Sequence, residues 1–147
     1  VNATVDAARV EALVRFFETL TPQSLAELPR HFAEDCRFRD PFNDVRGLPA
    51  LDAIFRHMFE RLDAPRFIVR ERVFEAPRLF LTWDFEFRFR GFRPSETQRI
   101  HGSSLITFDA TGRVAIHRDY WDTAEELYEK LPLLGFLLRR LKQQGRP

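Results

Sequence analysis

The chain has 147 residues, of which 16 are Phe, beside 2 Trp, 2 Tyr and 1 Met. That length suits one domain with a substantial core, spanning residues 1–147, and excludes an enzyme carrying its own separate dinucleotide domain. The formal net charge of +1, from 23 basic and 22 acidic side chains, lacks the basic excess of a dedicated nucleic-acid binder.

In chain order, Val10, Leu13, Val14 and Phe17 recur at helical spacing and predict a first helix over roughly Val5 to Leu20. Thr21-Pro22 ends it. Ser24 and Glu27 have capping-box spacing and open a short second helix, which Pro29 bends or shortens. Cys36 to Asp40 alternate as a short strand, with Cys36, Phe38 and Asp40 on one face and Arg37 and Arg39 on the other. Pro41 to Gly47 reads as a turn region. A third helix starts near Pro49 and carries Leu51, Ile54, Phe55, Met58, Phe59 and Leu62 as an apolar stripe.

The second half predicts strands. Arg66 to Glu75 is rich in β-branched residues, and Arg78 to Arg90 alternates without a break. Leu79, Leu81, Trp83, Phe85, Phe87 and Phe89 share one face of that strand, while Asp84, Glu86, Arg88 and Arg90 lie on the other. Gln98 to Asp109 and Arg113 to Trp121 follow, joined by a turn at Ala110-Thr111-Gly112. Thr123 and Glu126 form another capping box for a helix near Ala124 to Lys130, which Pro132 interrupts before the apolar tail Leu133 to Leu141. Segregated helices and adjacent strands predict an α+β fold with helices on one face of a mostly antiparallel sheet.

The remaining composition narrows the classes further. A single Cys, Cys36, excludes an internal disulfide framework and fits a reducing compartment. Asp6, Arg9 and Glu11 interrupt any signal-peptide pattern, and no apolar run spans a bilayer, so a cytoplasmic protein without integral membrane association is expected. His31, His57, His101 and His117 show no paired metal-ligand spacing, and no glycine-rich phosphate loop exists. Neither a metal nor a nucleotide cofactor is expected.

Three places carry chemistry. Asp40 ends its strand on the apolar side, where burial would raise a carboxyl pKa and suit acid–base work; it also stands where a turn residue would hydrogen-bond backbone amides, the reading that turn preferences favour. His117 and Asp119 share one face of the last strand with Trp121. Periodicity gives Val114 and Ile116 to the opposite, Arg118 side, so the His117 face reads equally as an internal site or as an outer salt-bridged surface. Gly102-Ser103-Ser104 lacks the elbow pattern of a nucleophilic Ser. The tail, with Arg139, Arg140 and Lys142, suits a lid over the aromatic sheet face, or contact with a partner or membrane surface.

The Phe16-Phe17 helix, Phe32-Ala33-Glu34-Asp35 leading to Phe38-Arg39-Asp40-Pro41, Gly47 before the third helix, Phe108 to Val114 and Asp119-Tyr120-Trp121-Asp122 together resemble the NTF2-like superfamily. Within it the chain is similar to the SnoaL-like group, which includes ketosteroid isomerases, polyketide cyclases and limonene epoxide hydrolases. The resemblance implies a cone in which three N-terminal helices and a curved sheet enclose a hydrophobic pocket, with a C-terminal helical tail outside. It turns His117, Asp119 and Trp121 inward and implies Asp40, Asp119 and His117 as catalytic candidates. Phe16, Phe38, Phe55, Phe59, Trp83, Phe85, Phe87, Ser104 and Trp121 become ligand-binding candidates.

The same resemblance limits the activity. Asp40 matches the general base of ketosteroid isomerases, but Phe16 and Ser104 stand where their oxyanion hole has a Tyr and an acid. Phe16 has no hydrogen to donate. Asp119 matches one carboxylate of the epoxide hydrolase Asp–Arg–Asp arrangement, whose other two positions read Trp83 and Phe85. What is expected is a pocket for a small apolar molecule, with cofactor-free isomerisation, cyclisation or dehydration beside a carbonyl, or a non-catalytic binding module. A homodimer through the open sheet face is implied as well.

Overall fold

The computed structural model describes residues 5–128 and 132–144. Helix α1 spans Ala7–Glu18, and its N-cap is Asp6, whose carboxylate accepts from the Arg9 amide at 2.9 Å. A 3-10 turn over Ser24–Glu27 runs into the four-residue α2, Leu28–His31. The expected capping box does not form there. Ser24 instead exchanges side-chain bonds with the Thr21 backbone and hydroxyl. Strand β1 follows directly at Phe32–Arg39, longer than the alternation suggested. The region 41–47 is not all turn, since β2, Asp44–Arg46, pairs back antiparallel onto β1.

Helix α3 covers Leu48–Arg61, with Pro49 in its first turn and Gly47 before it at φ +90°, a conformation that only Gly adopts cheaply. Four strands complete the sheet: β3 (Leu62–Glu75), β4 (Arg78–Phe89), β5 (Gln98–Phe108) and β6 (Val114–Tyr120). Helix α4 is short, Thr123–Glu126. Its cap is Asp122, accepting from the Ala124 and Glu125 amides, and not Thr123. The remainder of the expected Ala124–Lys130 helix lies partly outside the described residues. Helix α5, Pro132–Gln144, exposes Phe136, Leu137 and Leu141. Among the described residues no helix is long and apolar enough to cross a membrane.

The six strands form one sheet in the order β2-β1-β6-β5-β4-β3. All neighbours are antiparallel except β1 and β6, which run parallel. Helices α1, α2 and α3 cover its concave face, an α+β cone as expected. The core is tightest at one end. Leu79, Ile106, Val114 and Phe32 are fully buried there, as is Leu13 of α1. Toward the other end of β4 cover thins, and Phe89 is only half-buried.

A bulge in β6 decides which residues face that core. Phe108 pairs with Val114 but Thr107 pairs with Ile116, so Ala115 is an extra residue on β6. Val114 is therefore 0% exposed and Ile116 48% exposed, although they are two apart. The same shift turns His117 inward, on the side of Val114. The simple alternation that grouped Val114 with Ile116 fails because it assumed an unbroken period of two.

Candidate functional site

A cavity of about 660 Å³ opens between α3, α1 and the concave sheet face. Its walls are mostly aromatic. Phe67 stacks on Phe85 with ring centroids 4.4 Å apart, and Phe85 meets Phe87 at 5.2 Å. Trp83, Phe38, Phe55 and Trp121 line it as expected, Trp121 edge-on to Phe42 at 5.5 Å near the mouth. Its lining is most buried at Leu81, Phe17 and His117; Phe89 and Leu127 are partly buried, and Phe42, His57 and Arg61 are exposed.

Two expected ligand-binding residues do not reach it. Phe16 is buried outside the lining, stacked on His31 at 4.5 Å; its neighbour Phe17 faces the cavity, edge-on to His117 at 5.5 Å. Phe59 packs against the core but does not line the space. Phe16 misses because adjacent helical residues point about 100° apart. On α3 the lining runs through Ala50, Ala53, Ile54, Phe55, His57, Met58 and Arg61, and helical spacing alone does not separate Phe59 from Phe55, four residues before it. The helical spacing of α1 had already selected Phe17, with Val10, Leu13 and Val14. Phe67, Phe89 and Arg61 were not among the candidates; Arg61 stands three residues after Met58 and seven after Ile54, within the span of the α3 stripe.

The deep end holds the polar groups. Leu81, Ser104 and Asp119 lie in one row across β4, β5 and β6. The indole N–H of Trp83 donates to Ser104 Oγ at 2.8 Å, and Ser104 donates to Asp119 Oδ1 at 2.5 Å. His117 Nε2 donates to the same Oδ1 at 2.7 Å. The other ring nitrogen, His117 Nδ1, is buried without a partner, and Phe17, Phe32 and Phe38 surround the ring. Asp119 Oδ2 accepts no hydrogen bond among the described residues, and Asp119 is 15% exposed, toward the cavity. One carboxylate oxygen is thus fixed by two donors, and its twin is free.

Trp83 takes its place because residue 102 is Gly. Gly102 pairs with Trp83 across β4 and β5, and a Cβ there would lie 2.4 Å from the indole ring. The missing side chain lets the ring lie against β5 and its N–H reach Ser104.

Asp40 fares differently. Its Oδ1 accepts from the Phe42 amide at 2.7 Å and the Asn43 amide at 2.6 Å, and the Asn43 side chain adds bonds to both oxygens. It lines the rim, but as the cap of the turn between β1 and β2, not as a carboxylate on an apolar wall. Cys36 is buried behind Phe38, and burial, then the Asp35 charge, pushes its thiol pKa up, away from nucleophilic use. Among the described residues no cluster of His, Cys, Asp and Glu could hold a metal ion. The only described residue of the C-terminal segment lining the cavity is Leu127, so the lid expected of the tail helix is not seen among them.

The pattern of a SnoaL-like domain matches residues 13–117. The chain belongs to the SnoaL-like domain family. Solved structures of the same fold include an NTF2-like protein of unknown function from Burkholderia pseudomallei, 17% identical, with a TM-score of 0.70 over 82% of this chain and 95% of that one. A putative SnoaL-like polyketide cyclase from Jannaschia sp. is 17% identical, with a TM-score of 0.70 over 85% and 92%. An epoxide hydrolase of the LEH-like type from M. tuberculosis is 14% identical, with a TM-score of 0.66 over 92% and 90%. No curated protein matches by sequence. The SnoaL-like fold thus hosts several chemistries, and the likenesses carry the fold alone.

Proposed function

We propose that this SnoaL-like chain binds a small, largely apolar molecule in the aromatic cavity and that Asp119 moves a proton on it. The observation that carries the reading is the free Oδ2 of Asp119 at the deep end of that cavity, with Oδ1 held by His117 and Ser104. A carboxylate so oriented takes a proton from carbon beside a carbonyl. The C–H pair passes to the carbonyl oxygen as an enolate, and Oδ2 returns the proton to a second carbon, which completes an isomerisation. His117 orients Asp119, and Asp40 takes no part in the transfer. Neither Phe16 nor Phe17 supplies a donor for the enolate oxygen, which favours modest rates and keeps a binding-only module as the second reading.

The test is exchange of α-hydrogens of small cyclic ketones in D2O, followed by mass spectrometry. Wild type is expected to exchange them, and Asp119→Asn to exchange them about 10²-fold more slowly or worse, with binding retained. Binding without exchange in wild type leaves the non-catalytic reading standing and removes this one.

The homodimer belongs to the same proposal. On the convex face Val73, Phe80 and Leu105 align across β3, β4 and β5, with Ile116 and Tyr120 beside them, all exposed. A second copy seated there would cover this apolar row. Three members of the charged outer set are neutralised within the chain: Asp84 by Arg70, Glu86 by Arg66 and Arg99, Arg88 by Asp63. Sedimentation should give a dimer that Leu105→Glu dissociates; a wild-type monomer at micromolar concentration would remove the dimer.

A further inference from the structure

The cavity has a second polar end. Arg61 closes the α3 stripe at the mouth, where the adjoining Leu62 pairs with Phe89 at the far end of β4. Among the described residues its guanidinium makes no hydrogen bond and no ion pair. Of the acids next to it in the chain, Asp63 is paired with Arg88 at 2.6 Å, and Glu60 is exposed to solvent with the His57 ring 4.0 Å away. Arg90 adds a further positive charge nearby, its Nη2 donating to the Phe59 carbonyl at 3.3 Å. The rim beside the end of α3 is therefore electropositive, with one unpaired guanidinium on the cavity wall.

The deep end has the opposite character, a carboxylate bonded to His117 and with no Arg or Lys paired to it among the described residues. Eight residues of β4 separate the Leu81 row, which holds Asp119, from Phe89, or about 26 Å along an extended strand. Aromatic rings fill the interval. An anion is repelled from Asp119 and attracted to Arg61, whose planar fork suits a carboxylate.

We infer that the ligand is an elongated apolar molecule with a carboxylate head, the head held by Arg61 at the mouth and the uncharged end delivered to Asp119. This rests on the reading above that the cavity takes an apolar molecule. It goes beyond that reading by naming the ligand's charge and its direction of entry. Arg61 is then a specificity residue, remote from the reacting atoms.

Biphenyl-4-carboxylate and its methyl ester share one apolar body and differ by the charge. Both tryptophans of the chain, Trp83 and Trp121, line the cavity, so quenching of their emission reports binding. Wild type should bind the acid about tenfold more tightly than the ester, with the advantage shrinking as salt rises. Arg61→Met should abolish that advantage while leaving ester affinity unchanged, and Arg90→Met should keep it. Equal binding of acid and ester by wild type overturns the inference and leaves the apolar pocket intact. So does an Arg61→Met variant that loses both probes alike, or an advantage lost as fully in Arg90→Met. Binding of neither probe overturns the apolar-ligand reading and this inference with it.

Discussion

Two Asp–His pairs sit on opposite faces of the same sheet and do different things. On the convex face His101 Nδ1 lies 2.8 Å from Asp84, and Arg70 bonds the other Asp84 oxygen at 2.8 Å. The hydrogen bond from His101, then Arg70, holds the Asp84 carboxyl below the usual carboxylate range. The His101 side chain is 62% exposed. On the concave face His117 and Asp119 are as close, at 2.7 Å, but the His117 side chain is 6% exposed and no Arg or Lys among the described residues pairs with Asp119. The same two residue types make a neutralised surface patch in one place and a poised carboxylate in the other. Surroundings separate them: an Arg countercharge and an exposed imidazole outside, aromatic rings and a free oxygen inside.

The sharpest way to break the contrast is to truncate each imidazole. His117→Ala opens a hole among three Phe rings and should cost about 2–4 kcal/mol of unfolding free energy in urea. His101→Ala, on the exposed face, should cost under about 1 kcal/mol. Equal losses would show that the two pairs are energetically alike after all. Next in size is Gly102→Ala, which forces a methyl into the Trp83 ring. It should cost about 1–3 kcal/mol and shift the Trp emission. Gly91→Ala meets nothing within 4 Å and serves as its control. Unchanged emission in Gly102→Ala would detach Trp83 from the positioning of Ser104.

The smallest effect concerns a buried ring with no carboxylate partner. His31 Nδ1 is buried without a hydrogen bond. Burial, then the Arg9 charge, lowers its pKa below the ordinary value. The unfolded chain therefore binds the proton more readily. Stability from this group is full above about pH 6.5 and is lost as pH falls below it. His31→Leu should flatten the stability–pH curve on that side, and an unchanged slope would locate the acid sensitivity elsewhere.

Much of the fold was legible because its signals are local. The alternation from Leu79 to Phe89 and the stripe of α3 each describe one element, and both elements formed. The site was legible only in part. Asp119 and His117 are in the sequence for anyone to see, but their facing depends on Ala115, an inserted residue that only the pairing with β5 reveals. Asp40 followed the strand period onto the apolar side. Its fate was decided by the Phe42 and Asn43 amides, which compete for the carboxylate at short range. Phe16 and Phe17 differ by one helical step, and a family pattern written as Phe16-Phe17 does not say which ring enters the cavity. Trp83 was read as a wall, whereas its N–H also starts the hydrogen-bond chain to Asp119, an outcome that depends on Gly102 across the ladder.

The Ala115 bulge also bears on how this site can be lost. Substitutions around the cavity change one side chain at a time, but a strand with an odd insertion is vulnerable to changes of length. Removing that single residue would return β6 to unbroken alternation and leave Val114, His117 and Asp119 on the concave side, where they already face. One more inserted residue between Ile116 and His117, taken up without a second bulge, would instead swing Arg118 and Tyr120 into the cavity and send His117 and Asp119 out to solvent. The polar end of the pocket thus hangs on a residue count.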